Sequence, residues 1–356
     1  MIYVHVPFCR SFCTYCDFYS EVVGNGVGKT CRAQEGNQFE RYTDCLCAEI
    51  DARRDEIAAS AGVRTLYIGG GTPSVLPLEC LRKIVETLGS GPYDEFTVEV
   101  NPEDIVERGP EFVRGMLKLG VTRISMGVQS LDDGVLRWMN RRHSADGARE
   151  AFAIISSSQV QALQTRTENS RLDRSVDIIF GVPGMSQQIL KATVEEILEW
   201  RPEHISAYQL SIEEGSALAG MIAEGKVAEA PEEDCRAQYD WLCARLREAG
   251  YHHYEISNWA VPGHEAVHNS AYWTRQPYVG LGPGAHSLEG PRIRKWNSRS
   301  VTCWKEEGRE VLSDEEIHEE ELMLLARTDR GPIPERDWFI SDEIVAEMLF
   351  SDKTPH

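Results

Sequence analysis

Apolar residues fall into two rhythms along this chain. Short runs at Ile2 to Val6, Arg64 to Ile68, Phe96 to Val100, Arg123 to Met126, Ser175 to Phe180 and His204 to Leu210 predict strands. Between them, apolar positions spaced i, i+3, i+4 predict helices, as at Phe39 to Ala59, Leu78 to Leu88 and Gln187 to Trp200. Strands separated by helices imply right-handed βαβ crossovers and a parallel sheet. Six such strands suit a six-stranded open barrel or a larger closed one. The pattern alone does not separate either from a doubly wound sheet.

After about Ala249 the texture changes. Tyr251 to Trp259 and the Gly/Pro-rich segment Gly280 to Gly284 predict strands and turns that extend or close the sheet. From about Thr302 the pattern is Glu-rich and helical, as at Asp314 to Arg327. The expected organisation is a barrel over residues 1–250, an extension over 251–300 and a short accessory region over 301–356. Val23 to Gln38 and Ser156 to Arg174 read as irregular loops, the second with almost nothing to bury.

A chain of 356 residues, 42% hydrophobic, has ample apolar material for such a core. Its formal net charge of −20 argues against general nucleic-acid binding, which needs clustered Lys and Arg. Nothing resembles a span of about 18 apolar residues or a cleavable leader, so the expectation is a cytoplasmic protein. Peripheral membrane contact is compatible with this, and the oligomeric state is not legible. In that compartment ten cysteines suggest metal or catalytic roles for any clustered set, rather than a disulfide framework.

One set is clustered. Cys9, Cys13 and Cys16 form a C-x3-C-x2-C run directly after the first predicted strand. Thiolates suit zinc or iron–sulfur clusters, and three of them leave one iron of a four-iron cluster open to a small molecule. A zinc site completed by a distant His or Cys is the competing reading of the spacing. Cys31, Cys45, Cys47, Cys80, Cys235, Cys243 and Cys303 carry no assigned role and read mostly as small buried hydrophobes.

The triad, with Tyr15 before its last cysteine, resembles the motif of the radical S-adenosylmethionine (radical SAM) superfamily. Tyr3-Val-His5-Val-Pro7-Phe8-Cys9 and Cys16-Asp17-Phe18-Tyr19 are more closely similar to the oxygen-independent coproporphyrinogen III oxidase family. The resemblance runs to about Ser287. It implies an α/β fold: a (β/α)6-type partial barrel with additional C-terminal strands and a small, mainly helical accessory domain. It also implies a [4Fe–4S] cluster on Cys9, Cys13 and Cys16, with S-adenosylmethionine as cofactor.

Further residues support a cofactor site. Gly69-Gly70-Gly71-Thr72-Pro73-Ser74 follows the second strand, where glycines let backbone approach a ligand, although a plain tight turn has the same composition. Glu99, Gln129 and Asp177 lie at or near the ends of later strands, where polar side chains of an α/β barrel converge. Arg141 has the chemistry to clamp a carboxylate bidentately, with Arg142 as competitor. By resemblance, Tyr3, Tyr15, Gly70, Gly71, Thr72, Glu99, Gln129, Arg141 and Asp177 match positions that contact S-adenosylmethionine.

Within that family the decarboxylating oxidase carries a fourth cysteine two residues after the third, where this chain has Phe18. The heme chaperone branch has the C-D-F form and an H-N-x-x-Y-W element, here His268-Asn269-Ser270-Ala271-Tyr272-Trp273. The resemblance therefore implies heme as cargo, His268, Asn269, Tyr272 and Trp273 as heme-associated residues, and apo-hemoproteins such as respiratory cytochromes as partners. Imidazole ligates heme iron well, yet His268 reads equally as a hydrogen-bonded turn residue. His5, His252, His253 and His286 are other candidates. The alternative function is the oxidase itself or another radical reaction on a tetrapyrrole.

Overall fold

The computed structural model describes residues 1–23, 29–60, 62–89, 91–157, 160 and 172–351. Strand β1 (Ile2–Val6) runs into a short parallel pair, β2 (Phe8–Cys9) with β3 (Glu21–Val22), and this pair brackets the cysteine loop. Then β4 (Thr65–Gly70), β5 (Glu95–Val100), β6 (Arg123–Gln129), β7 (Asp173–Phe180) and β8 (His204–Gln209) follow β1 side by side, every pair parallel. On the far edge β9 (His252–Glu255) and β10 (Asn258–Ala260) add as antiparallel strands beyond β8. On the near edge β11 (Val279–Leu281) lies parallel to β1. Among the described residues the sheet has nine strands and stays open, so the open alternative with its six parallel strands is the one the chain adopts.

Alternation along the strands explains both faces. Leu66 and Ile68, Phe96 and Val98, Ile124 and Met126, Val176 and Ile178, and Ile205 and Ala207 point one way and are buried. They meet helices such as Leu78–Leu88, which buries Leu81, Ile84 and Val85, and Gln187–Trp200, which buries Leu190, Val194 and Ile197. The alternate positions Tyr67, Thr97, Glu99, Ser125, Ser175, Asp177, Ser206 and Tyr208 line the concave interior instead. The concave side is thus a polar lumen rather than a filled core.

Three sequence expectations change. The helix expected over Phe39 to Ala59 is two helices, Lys29–Ala52 and Arg54–Ala59. Its first turns occupy much of the stretch from Val23 to Gln38 that reads as a loop, because a polar helix start carries no apolar stripe to announce it. In the Glu-rich segment, β14 (Glu306–Val311) pairs antiparallel with β13 (Ile293–Asn297), which pairs with β12 (His286–Glu289). Its side chains are largely exposed, so charge accumulates without disturbing the ladder and protects the sheet edge. Beyond it lie the helix Asp314–Leu325, a 3-10 turn Glu335–Ile340 and the helix Ser341–Ser351. Most of Ser156 to Arg174 falls outside the described residues.

Candidate cofactor site in the barrel lumen

The parallel strands all end on one rim, and the loop after β1 carries the three cysteines across it. Cys9, Cys13 and Cys16 are free thiols, partly buried, lining one cavity of about 470 Å³. Tyr15, Gly70, Gly71, Thr72, Glu99, Gln129, Arg141 and Asp177 line the same cavity. Residues from six separate elements of the sequence reading therefore meet in one place. Burial pushes the Cys16 thiol up to about 11, with the neighbouring Cys13 and Cys9 adding to the effect. Burial likewise raises Cys9.

The glycine turn is shaped by its neighbours. A Cβ on Gly71 would meet the Phe8 carbonyl oxygen at 2.7 Å, and one on Gly70 would meet the His5 ring at 2.5 Å. Gly70 also has φ +107°, where other residues are strained. His5 is locked in one tautomer: its Nε2–H donates to the Tyr19 carbonyl at 2.8 Å, so Nδ1 accepts from the Tyr3 hydroxyl at 3.0 Å. Tyr3 thus stands one layer behind the cavity wall, holding His5 and flanking Tyr67.

Glu99 ties this turn to the next strand. Its carboxylate accepts from the Gly70 amide at 3.0 Å and from the Tyr67 hydroxyl at 2.6 Å. Burial drives its pKa up to about 7 despite those bonds. Asp177 accepts from Ser125 Oγ at 3.0 Å and is pushed up to about 6, again chiefly by burial. Two half-buried carboxylates raised toward neutrality, facing one lumen, make a pocket that favours a cationic group.

Arg141 supplies the opposite charge. It donates to Cys13 Sγ at 3.4 Å, to Asn101 Oδ1 at 2.7 Å and to the Gly127 carbonyl at 2.8 Å. Among the described residues its buried Nε has no hydrogen-bond partner, a donor left over for an anionic ligand group. Asn101 also donates to Thr72 Oγ1 at 3.2 Å, and Thr72 lies 3.5 Å from Cys9 Sγ. Asn101 and Tyr67 are therefore organising residues that the sequence reading did not single out. Asn101 follows Glu99 in the same V-E-V-N-P run, and Tyr67 has the inward parity of its strand. Gln129 adopts φ 65° at a bulge between β6 and β7, a strained conformation at the cavity rim.

The H-N-x-x-Y-W element is divided. His268 is fully buried against Thr65, the first residue of β4, while the glycine turn follows that strand's other end. Its Nδ1 pairs with Thr65 Oγ1 at 2.8 Å and its Nε2 with the Tyr272 hydroxyl at 3.1 Å. Burial pushes its pKa down to about 3, so the ring is neutral and both nitrogens are engaged. Of the two readings of His268, this geometry is the hydrogen-bonded one. Tyr272 packs on Tyr278, Asn269 lines the lumen, and Trp273 lines a second cavity of about 320 Å³ beside Leu325 and Thr328.

The comparisons with known proteins match this architecture. The Radical SAM superfamily model matches residues 3–197. The heme chaperone HemW of Mycobacterium tuberculosis is 34% identical over 346 residues, covering 93% of this chain and 82% of that protein. HemW of Lactococcus lactis is 30% identical over 345 residues, covering 94% and 83%. The chain belongs to the radical SAM superfamily and to its HemW family. Among solved structures, the Escherichia coli coproporphyrinogen III oxidase HemN superposes on this HemW-family chain with a TM-score of 0.69, covering 99% of this chain and 79% of that one. At 18% identity that similarity speaks to fold alone.

Radical SAM proteins take a [4Fe–4S] cluster and S-adenosylmethionine, and the donor set fits them. Among the described residues, only Cys243, His253 and Glu335 bring three metal-capable atoms within 4.8 Å of one another. Cys9, Cys13 and Cys16 are three free, partly buried thiols on one loop facing one lumen, the donor set such a cluster takes.

Proposed function

We propose that this chain is a heme chaperone that binds heme and delivers it to apo-hemoproteins, with respiratory cytochromes the expected class of recipient. The observation that carries the reading is its 34% identity, across 93% of its length, to a protein named as a heme chaperone. Phe18 supports it, because a phenyl ring stands where the decarboxylating oxidase pattern has a fourth cysteine. Phe18 is two-thirds exposed at the cavity mouth and supplies no thiol to the lumen.

In this reading Cys9, Cys13 and Cys16 hold the [4Fe–4S] cluster, which when bound supplies one-electron reduction of the S-adenosylmethionine sulfonium. Arg141 pairs with the methionyl carboxylate through the donor it has to spare. Glu99 and the Gly70–Gly71 backbone take the ammonium, and Asp177 keeps the inner lumen anionic. Thr72 and Asn101 fix the cysteine loop against the strand ends. The lumen walls exclude bulk water, which strengthens each of these pairings.

For heme, Asn269 and Trp273 are the members of the H-N-x-x-Y-W element that line cavities, so association through this element runs through them. His268 and Tyr272 shape the helix that presents them. No described helix is long and apolar enough to cross a membrane, in keeping with a cytoplasmic site of action. The test is heme transfer. Heme-loaded, cluster-reconstituted protein is mixed anaerobically with an apo-cytochrome, and reconstitution of the acceptor spectrum is followed. Transfer faster than from free heme supports the reading. Conversion of coproporphyrinogen III to protoporphyrinogen by the same preparation, without heme transfer, would replace it with the oxidase.

A further inference from the structure

Far from the cysteine triad, three side chains of different chemistry converge. Cys243 lies on the helix Glu232–Glu248, His253 on β9, and Glu335 begins the 3-10 turn Glu335–Ile340. One sulfur, one nitrogen and one oxygen from these residues lie within 4.8 Å of each other. We infer that Cys243, His253 and Glu335 form a second metal site, for a divalent ion of the zinc type, that fastens the C-terminal segment to the last helix of the barrel.

The hydrogen bonding of His253 motivates this. Its Nδ1 faces Glu335 Oε1 at 2.8 Å and its Nε2 faces the Ile256 carbonyl oxygen at 3.3 Å. Both partners are acceptors, whereas a neutral imidazole has a single N–H. The ring is buried, stacked on Trp259 at 4.1 Å and met edge-on by Trp338 at 4.6 Å. Whichever nitrogen carries the one proton of a neutral ring, the other turns its lone pair against an oxygen. An ion on Nδ1 removes the conflict. Nε2–H then donates to Ile256, the orienting bond that metal-bound histidines commonly make.

The other two donors fit the same ion. Cys243 is a partly buried free thiol whose sulfur lies within 4.8 Å of the other two donor atoms. A metal displaces that proton and neutralises the thiolate. Glu335 Oε1 faces His253 and also accepts from Arg247. Its side chain is one-third exposed, so water can reach a fourth, open position. A sulfur, nitrogen and oxygen set of this kind suits Zn²⁺ and Co²⁺, and rejects the hard ions Mg²⁺ and Ca²⁺. Seating the ion requires the 2.8 Å nitrogen–oxygen edge to open to roughly 3.3 Å. The fastening has a structural purpose: the C-terminal core consists of Ala326, Ile333, Trp338 and Val345, a small cluster on which to anchor a segment.

The experiment is cobalt(II) titration of the metal-stripped, cluster-reconstituted protein, followed anaerobically in the near-ultraviolet and visible. The expected result is about one cobalt per chain with a thiolate-to-cobalt charge-transfer band, and zinc abolishes it. The band disappears in Cys243→Ser and persists in Cys303→Ser and in the Cys9/Cys13/Cys16→Ala variant. The last comparison keeps this site separate from the cluster reading. Glu335→Gln, at the exposed side of the site, lowers cobalt affinity roughly tenfold or more. Absence of cobalt uptake would overturn the proposal and leave His253 and Glu335 as a protonated ion pair. A band that survives Cys243→Ser, or an unchanged affinity in Glu335→Gln, would overturn it equally.

Discussion

The Glu99 carboxylate receives the Gly70 amide at 3.0 Å, so the end of β5 and the glycine turn after β4 are a single unit. Because burial raises Glu99 to about 7, this unit is half protonated near neutral pH before ligand arrives. If a ligand ammonium pairs with the ionised form, S-adenosylmethionine affinity rises with pH up to about 7 and levels off above it. Below that point it falls by up to about tenfold per pH unit. Glu99→Gln binds more weakly and with a flatter pH dependence. Equilibrium dialysis of the cluster-loaded protein between pH 6 and 8 checks both.

The same shift governs stability without ligand. For an acid whose folded pKa lies above its unfolded value, the native state holds more protons in the interval between the two. Stability therefore declines as pH rises from the ordinary carboxylate range to about 7 for Glu99 and about 6 for Asp177. Glu99→Gln should stabilise the ligand-free protein at pH 8 by on the order of 2 kcal/mol and do little at pH 4. Urea unfolding at the two pH values measures this, and equal effects at both would contradict it.

Arg141 tests the anion side. Replacement by Lys keeps the charge but loses the planar fork that reaches Cys13, Asn101 and Gly127 together. The cluster should still assemble on the three cysteines. S-adenosylmethionine affinity should fall tenfold to about a hundredfold, the worth of one or two charged hydrogen bonds. Iron and sulfide content, measured alongside ligand binding, separates the two effects.

How much of this was legible from residues alone follows from which forces mark a sequence. The six parallel strands were legible because their outward positions are apolar and must meet helices, as Phe96 and Val98 do. The cysteine loop was legible from its spacing, Glu99 and Asp177 from being acidic groups in apolar strands, and the glycine turn, Gln129 and Arg141 chiefly from the family resemblance; the structure brings them to one cavity. Tyr67 and Asn101 were not, since a tyrosine or asparagine at a strand end is unremarkable until its partner is known. The helix start at Lys29 lacks an apolar stripe, and β14 carries charges on an exposed edge, so neither left the usual signature. His268 looks the same in sequence whether it ligates iron or bridges Thr65 and Tyr272; the bridge is visible only once its two partners are known.

That bridge makes a sharp comparison possible. His268→Ala removes two buried hydrogen bonds and leaves a void, and should cost about 2–4 kcal/mol of stability. Heme affinity of the folded fraction should change little. Trp273→Ala, which removes a wall of the second cavity, should instead weaken heme binding several-fold with a smaller loss of stability. Thermal unfolding and heme titration of both variants check the contrast. The reverse pattern would return His268 to the role of ligand.

The most direct test of the account is an anaerobic heme titration of the cluster-reconstituted protein, followed at the Soret band. The account predicts a saturable spectral change near one heme per chain, retained in His268→Ala and weakened in Trp273→Ala. A spectroscopically verified cluster with no saturable heme binding would contradict the chaperone function and point to radical catalysis on another substrate.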